Sequence, residues 1–531
     1  MISERRQTML LARTFFSRQF ESDLMPSGLP QIHLLVWVVA FLAGLSTTLP
    51  ILLARKYVWL LASVSALQAG MAADRAFMTL LMMVATGLIT LVIWEGVFPD
   101  SRDARILGVI PIRPRTFVAA RLAALMLLFM ILVMTTTLAS AIVTGVINAT
   151  FRGPGGFAGA AISSFATTAG AEAVVFFGII ALQCALLNVA GAAVAQKLAV
   201  ALQMILVVSL LQMPLLLSKL TGGGVPAGAP LAAFFTAASA LVLYGATYRR
   251  LARLALEGTG RFNHRVGSLG GLVATASRLV TWSPPARAVC AFTLRTVARS
   301  RQHRMILAGW VGLAIAAILA GLVPLVLREG LNGFAEPRVS LLAAPLVLCT
   351  LTLAGMRMLF AIPTQVKANW TVRTRQTIPV RLALDGATAA LIACVIPAAL
   401  FAAISATALW GVRIGAVHTV VCFTAGVLLA EALSLGLDKV PFTCTYVPGK
   451  AKFVHLWPLY FFAFTTCTYT LAALEIQLLR AGGLAQLIII LVISALGLAL
   501  IRRSKANQVE TLRFEEEDDN AVTLLPLSGS V

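Results

Sequence analysis

Long apolar runs, separated by short polar or charged stretches, follow one another along the whole chain. Each is close to or above the roughly 20 residues that an α-helix needs to cross a bilayer. Within a run the apolar positions are continuous instead of alternating, which predicts helices and not the strands of a membrane barrel. The runs cover residues 33–54, 77–95, 117–147, 172–190, 195–217, 230–248, 305–327, 340–361, 383–409, 415–437, 457–476 and 484–501. The chain is therefore predicted to be an all-α polytopic membrane protein with about twelve transmembrane helices.

The amino-acid composition agrees with a location in the bilayer. Hydrophobic residues make up 59% of the 531 residues and charged residues 12%, about half the charged fraction of an average soluble domain. The seven cysteines are scattered singly, without a CxxC or CxxH pair. We interpret them as small apolar residues within the helices, and not as metal ligands or disulfide partners.

If the chain crosses the membrane twelve times, its basic residues are divided unequally between the two sides of the membrane. With both termini in the cytosol, about 32 of the 42 Lys and Arg residues fall on the cytosolic side, as the positive-inside rule requires. This distribution accounts for the net charge of +21 without nucleic acid as a partner. We expect membrane lipids around the chain and both termini in the cytosol.

A basic stretch in the middle of the chain divides it into two halves. Residues 249–304 carry eleven arginines and one acidic residue, Glu257. Upstream, the spaced apolar residues of the N-terminal segment, among them Phe15 and Phe16, predict an amphipathic helix on the inner membrane surface. We predict a first six-helix half at residues 1–248, a basic cytosolic linker with a connecting helix at 249–304, a second six-helix half at 305–501 and a cytosolic acidic tail at 502–531.

A similar loop follows the second predicted span of each half. The first reads FPDSRDARILGVIPIRPRTFVAARL from Phe98, and the second reads IPTQVKANWTVRTRQTIPVRLALDG from Ile362. Each opens with an apolar residue and a proline, continues through a basic stretch and reaches the next span after I-P-[IV]-R. Because an even number of spans separates the loops, we predict two parallel repeats. Residues 99–115 are called the first loop below, and residues 363–381 the second loop.

Motifs for chemistry on a substrate are missing from the sequence. GxxxxGK[ST], HExxH and GxSxG do not occur, and the five histidines stand far apart. The chain therefore lacks the phosphate-binding loop of an ATPase and the metal-binding helix of a protease. We expect a protein that is not an enzyme and has no cofactor or metal of its own.

Ionisable residues inside the predicted spans are the remaining candidates for a site that binds an ion. Two of them lie below the span ends but within reach of the cytosolic surface: Arg357 near the end of its span and Glu431 about two turns from it. Four acidic residues lie at span ends and are interpreted as interfacial anchors: Glu95, Glu172, Asp385 and Glu475.

The first loop and its flanks, WEGVFPDSRDARILGVIPIRPRTFVAARLAAL, resemble the segment between the second and third spans of type-2 ABC exporter permeases. In those permeases a [FL]-x-D-R-[RE]-[DS]-x-x-[LI]-x-x-x-P-[IV] stretch forms the cytosolic coupling helix. The residues that carry the match are Pro99, Asp100, Arg102, Asp103, Leu107, Pro111, Ile112 and Arg115. Four phrases of the second half, FTLRTVARSRQHR, FAIPTQVKANWTVR, PFTCTYVPGK and LRFEEE, resemble a bacterial group of such permeases.

This resemblance implies a permease subunit in the bacterial cytoplasmic membrane that exports an unknown substrate by alternating access. ATP would be bound by separate ABC ATPase subunits, in two copies, because this chain carries both six-span halves that typical members bring together as two chains. A basic connecting helix would precede the first span of each half, at residues 5–20 and 292–304. The expected ATPase-coupling residues are Pro99, Asp100, Arg102, Asp103, Arg105, Pro111, Arg113, Arg115, Pro363, Lys367, Arg373, Arg375, Pro379 and Arg381.

Two other classes of protein stay open. A twelve-span secondary transporter driven by protons also has parallel halves, and its G-x-x-x-D-R-x-G-R-[RK] loop shares the acid and the arginines of the first loop but not the glycines. A membrane scaffold without transport activity is the third class. Transport that continues without ATP and collapses with the proton gradient would indicate the second class, and the third would have no nucleotide-dependent partner.

Overall fold

The computed structural model describes residues 4–19, 31–60, 63–98, 113–220, 229–256, 269–362, 380–435, 437, 440–442, 452–481 and 484–506. Within these ranges every regular element is a helix and no strand occurs, which confirms the all-α prediction. The chain divides into two compact units. The first holds the described residues from Glu4 to Leu256, and the second those from Leu269 to Ala506.

The first unit contains eight described helices and three irregular helical turns, one of which, Pro154–Gly156, precedes α7. A 3-10 turn, Trp94–Val97, follows α4, and a single π-helical turn, Met134–Leu138, joins α5 to α6. Gly191 divides α7 into two rods, because its φ of 75° and ψ of 162° are not helical. Glycine adopts a positive φ without a steric penalty. The helices are α1 Glu4–Gln19, α2 Gln31–Ala54, α3 Tyr57–Leu60, α4 Val64–Val92, α5 Pro114–Val133, α6 Ala139–Arg152, α7 Phe157–Leu220 and α8 Ala229–Leu256.

The second unit also contains eight described helices. Two prolines that we expected in a linker, Pro284 and Pro285, occupy the first turn of α10, where a proline loses no helical hydrogen bond. A 3-10 turn, Gly330–Phe334, follows α11. The helices are α9 Leu269–Val280, α10 Pro284–Arg299, α11 Arg301–Glu329, α12 Val339–Leu359, α13 Val380–Trp410, α14 Val412–Leu433, α15 Lys452–Ala481 and α16 Leu484–Ala506.

Eight helical stretches among the described residues are long and apolar enough to cross a membrane. They indicate a membrane location and coincide with eight of the twelve predicted runs. The other four runs, at residues 33–54, 195–217, 457–476 and 484–501, also lie within helices. The count of twelve spans and the division into two repeats stay predictions.

Helix α4 begins at Val64, well before the predicted run at residue 77. The hydroxyl group of Ser63 caps this end by accepting a hydrogen bond of 3.4 Å from the backbone nitrogen of Ala66. Farther along, the buried carboxylate of Asp74 accepts hydrogen bonds of 2.5 Å from Lys56 and 2.6 Å from the Tyr57 hydroxyl. These bonds fix the connection between α2 and α4.

The core of the first unit lies where α4, α5 and α7 meet. Leu128 and Phe176 are fully buried there, and the rings of Phe129 and Phe176 are 5.0 Å apart. Each such side chain contributes on the order of 1.5–3 kcal/mol when it is removed from water. In a membrane protein, helix contact depends on close packing of this kind more than on burial from water.

In each unit, an amphipathic helix packs on the helix that follows the loop. In the first unit, Phe15 of α1 packs against Ala120 and Ala124 of α5. In the second unit, α10 packs on α13 at Gly386, where an added Cβ would lie 2.5 Å from the backbone oxygen of Ala286. Small residues on α5 and α13 therefore allow the two amphipathic helices to approach closely.

Candidate functional site

The structure describes the flanks of the two loops and not their centres. Eleven of the fourteen predicted coupling residues lie outside the described residues: Pro99, Asp100, Arg102, Asp103, Arg105, Pro111, Pro363, Lys367, Arg373, Arg375 and Pro379. The other three, Arg113, Arg115 and Arg381, are exposed at the starts of α5 and α13. The candidate site is therefore built from the chain segments directly before and after each loop.

The backbone before the first loop is held by Arg121. This buried side chain lies on α5, and its Nη2 donates hydrogen bonds of 2.8 Å to the Gly96 oxygen and 2.6 Å to the Phe98 oxygen. Its guanidinium group also lies 5.0 Å from the ring centre of Phe15 on α1. Hydrogen bonds from a charged donor are stronger than those between neutral groups, so Arg121 joins α5 firmly to the end of α4.

Two further helices hold the same segment. The Tyr244 hydroxyl of α8 donates 2.9 Å to the Val97 oxygen, and the Gln183 amide of α7 donates 2.8 Å to the Trp94 oxygen. The rings of Phe98 and Tyr244 stack with their centres 5.4 Å apart. Because all these groups are buried, removing a donor leaves a backbone oxygen without its partner, at a cost of about 1–3 kcal/mol.

The chain after the first loop begins α5 and touches α1. Pro114 occupies the first turn of α5, directly after Arg113. Glu4 of α1 lies 3.7 Å from the guanidinium group of Arg113 and accepts a hydrogen bond of 3.3 Å from the Thr116 hydroxyl. Arg113 is 80% exposed, so this ion pair adds little to stability. The contact places the N-terminal helix beside the end of the loop.

The backbone before the second loop is held by His303, at the start of α11. His303 is fully buried, and its Nε2 lies 3.0 Å from the Ile362 oxygen while its Nδ1 lies 2.7 Å from the Ser300 hydroxyl. A carbonyl oxygen only accepts hydrogen bonds, so we assign the hydrogen to Nε2. Nδ1 of the neutral ring then accepts from Ser300.

Phe442 reinforces this contact from the segment that precedes α15. Its backbone nitrogen donates 3.2 Å to the Phe360 oxygen, and its ring packs edge-on against His303 at 4.8 Å. Phe442 has a φ of 66°, which is strained for a bulky residue and persists only where the surroundings fix it. The second loop therefore also starts from a backbone that side chains of other elements hold in place.

The chain after the second loop borders a cavity of about 440 Å³ in the second unit. Arg381 lines it together with Asp385, Glu431, Arg502 and Lys505. The carboxylate of Glu431 accepts hydrogen bonds of 3.1 and 3.0 Å from the Nε and Nη2 of Arg502 and forms an ion pair with Lys505. This network joins the end of α14 to the end of α16, next to the point where the second loop ends.

Two residues from the predicted spans lie closer to a helix end than we expected. Glu431 is in the last turn of α14, because that helix ends at Leu433 and not at residue 437. The Nε of Arg357 donates 2.8 Å to the Leu433 oxygen, one of the terminal carbonyl groups that the helix itself leaves without a partner. Arg357 thus caps α14.

The interpretation of Glu172 as an interfacial anchor is wrong. Glu172 is fully buried in the middle of the first rod of α7, because that rod begins at Phe157 and not at residue 172. Glu475 is buried against His418, whose Nδ1 lies 2.9 Å from its Oε1. Asp385 is exposed, and the Glu95 side chain lies outside the described part of the chain.

The described residues show no metal site. They contain no group of three or more His, Cys, Asp and Glu side chains that could hold a metal ion. Burial raises the pKa of the Cys290 thiol in α10 to about 11, so this thiol stays protonated and unreactive at neutral pH. Comparison of the chain with known protein families, with curated proteins and with solved structures finds no match.

Proposed function

We propose that the chain is the membrane subunit of an ATP-binding-cassette exporter. Separate ATPase subunits would bind the two loops and drive substrate export by alternating access. The observation that carries the proposal is the fixed backbone before each loop: Arg121 holds Phe98, and His303 holds Ile362. A loop on such a base transmits a displacement to the helices instead of absorbing it.

The chain's own part in this mechanism is mechanical. A force on the first loop would reach α4 and α5 together through Arg121, and would reach α7 and α8 through Gln183 and Tyr244. A partner shifts an equilibrium between two conformations only through unequal binding to them. The free energy would therefore come from ATP binding and hydrolysis in the partner, while this chain converts it into helix movement.

The proposal includes twelve spans as two parallel six-helix repeats, in the bacterial cytoplasmic membrane with both termini in the cytosol. The charge distribution along the sequence supports this orientation. The repeats are supported by the like packing of α1 on α5 and of α10 on α13, each in its own unit. A chain with two loops of this kind would bind two ATPase copies.

Cysteine cross-linking of the full-length chain tests the proposal. Arg102→Cys and Arg373→Cys should cross-link to an ABC-type ATPase in inverted membrane vesicles, with a yield that changes on adding ATP. Gly155→Cys, in an exposed turn predicted on the opposite side, serves as the control and should give no such product. Reversing the charges of Asp100, Arg102 and Asp103 should release the ATPase during purification.

Two results would overturn the exporter function. One is ATP hydrolysis by the purified chain without an added subunit, and the other is unchanged retention of the ATPase after charge reversal. A proton-driven secondary transporter is the second candidate, favoured by the buried carboxyl group of Glu172. Transport in vesicles without ATP, abolished by a protonophore, would establish that candidate instead.

A further inference from the structure

A buried carboxyl group lies against the π-helical turn of the first unit. Three threonine hydroxyls surround Glu172: Thr136 and Thr137 lie 2.8 and 2.9 Å from its Oε1, and Thr86 lies 3.1 Å from its Oε2. All four side chains are essentially inaccessible to solvent. Three helical segments, α4, α7 and the π turn, therefore meet at this group.

The surroundings of Glu172 offer hydroxyl groups and no opposite charge. Arg75 and Asp74 lie on α4, at least 11 residues from Thr86, and Arg121 lies on α5, 15 residues from Thr136. At 1.5 Å per residue these separations are about 16 Å or more along the helices. Helix α8 is equally distant along α4, because its Tyr244 contacts the chain at Val97, which is also 11 residues from Thr86. Among the described side chains, no charge compensates an ionised Glu172.

One assignment of the hydroxyl hydrogens satisfies every group around a protonated Glu172. Thr136 has one hydroxyl hydrogen and two acceptors at 2.8 Å, the Leu132 backbone oxygen and Glu172 Oε1. If the hydrogen goes to Leu132, the short contact with Oε1 needs a hydrogen on the carboxyl group. A carboxylic acid then donates from Oε1 to Thr136 and accepts from Thr137 at Oε1 and from Thr86 at Oε2. Every group is satisfied and no charge is buried.

The π turn provides a second, independent sign of a functional position. Single π turns inside long helices occur frequently at functional sites, and this one consists of Met134, three threonines and Leu138. Its backbone is also contacted from α2, where the Ser46 hydroxyl donates 3.2 Å to the Thr135 oxygen. Ionisable residues at membrane depth that face the interior of a helix bundle commonly mark ion or proton pathways.

We propose that Glu172, Thr86, Thr136 and Thr137 form a proton-binding site within the first unit. Glu172 is a neutral carboxylic acid in the packed conformation. When the three segments separate, the proton passes from Oε1 to water and the carboxylate stays behind. Thr136 then turns its hydrogen from Leu132 to the carboxylate. Because α5 leads from the end of the first loop to the π turn, movement of that loop is linked to proton release.

Infrared absorption of the purified full-length chain in lipid nanodiscs tests the proposal without any ATPase. The carbonyl stretch of a protonated carboxyl group is separate from the carboxylate bands. We expect Glu172→Gln to lose a protonated-carboxyl band that the wild-type chain shows at neutral pH. Glu431→Gln is the matched control and should keep that band, because the Glu431 carboxylate forms ion pairs with Arg502 and Lys505.

A second pair of variants covers the case in which Glu172→Gln does not fold. Thr86→Val removes the hydrogen bond to Oε2 and should move the band to higher wavenumber. Thr79→Val is the control and should leave the band in place. The Thr79 hydroxyl lies 3.0 Å from the Thr168 hydroxyl, also between α4 and α7, and does not contact Glu172. A band that neither Glu172→Gln nor Thr86→Val changes would overturn the proposal. So would a band that disappears when sodium replaces potassium, since the site would then hold a cation.

Discussion

The guanidinium group of Arg121 donates a hydrogen bond of 2.6 Å to the backbone oxygen of Phe98, the last described residue before the first loop. Arg121 belongs to the helix that follows the loop, so one side chain connects the two segments between which the loop lies. In the second unit, His303 of α11 holds the equivalent position at Ile362. Both loops therefore start from backbone that is fixed by a buried donor on a different helix.

Arg121→Met is expected to destabilise the first unit. The variant keeps an apolar stem beside Phe15 but leaves the Gly96 and Phe98 oxygens without their donor, so we expect a loss of about 1–3 kcal/mol in unfolding free energy. Denaturant unfolding of the purified chain in detergent measures it. Arg115→Met, on the exposed side of the same helix, should stay within about 0.5 kcal/mol of wild type. Equal stability of the two variants would contradict the role of Arg121.

His303→Phe is expected to loosen the start of the second loop. The phenyl ring keeps the packing against Phe442 but cannot donate to the Ile362 oxygen. Hydrogen exchange followed by mass spectrometry should show faster exchange in peptides that contain residues 360–362 and 442. Gln302→Ala, one residue away and only half-buried, is the control and should leave these peptides unchanged. Unchanged exchange in His303→Phe would show that Ile362 is held by other contacts.

Gly386→Ala is expected to disturb the packing of α10 on α13. The new methyl group would lie 2.5 Å from the Ala286 oxygen and 2.7 Å from the Val289 Cβ, and such overpacking costs about 1–3 kcal/mol. The thermal unfolding midpoint of the purified chain should therefore fall. Gly309→Ala is the matched control, because a Cβ on that helical glycine meets no atom within 4 Å and alanine favours helix by up to about 1 kcal/mol. A midpoint that falls equally in both variants would contradict the close contact.

The helices could be predicted from the sequence because a continuous apolar run satisfies its backbone hydrogen bonds in a bilayer by forming a helix. The residues at which the helices begin and end could not be predicted in the same way. Helix α7 begins at Phe157, but the small and hydroxylated residues before Glu172 lower the hydropathy of that stretch, so the run seemed to start at Glu172. The same error placed a carboxyl group from the middle of a helix at a membrane surface.

The contacts that define the candidate site could not be predicted for a different reason. Arg121 and Phe98 are 23 residues apart, His303 and Ile362 are 59 apart, and Thr86 and Glu172 are 86 apart. No local pattern encodes such pairs, since they depend on how the helices pack. The basic residues of the loops were visible in the sequence, whereas nothing in the sequence marks Arg121 and His303 as the buried donors that hold the loop flanks.

The ion pairs of Glu431 lead to a prediction about the end of the second loop. Glu431 is 6% exposed, whereas its partners Arg502 and Lys505 are 65% and 22% exposed. Removing the Glu431 carboxylate leaves two cations that can turn toward water or lipid headgroups. Removing Arg502 alone leaves Glu431 paired with Lys505. We therefore expect Arg502→Gln to cost no more than about 1 kcal/mol in unfolding free energy.

The double variant Arg502→Gln with Lys505→Gln should lose more unfolding free energy than the two single variants together. Only in the double variant does the carboxylate of Glu431 stay buried without these two cations, at a penalty of about 3 kcal/mol or more. Denaturant unfolding of the four chains in one detergent gives the coupling free energy directly. Adding Glu431→Gln to the double variant should recover most of the loss, since it removes the uncompensated charge. If the cost of the double variant equals the sum of the two single costs, another cation, such as Arg381 in the lining of the same cavity, already compensates Glu431.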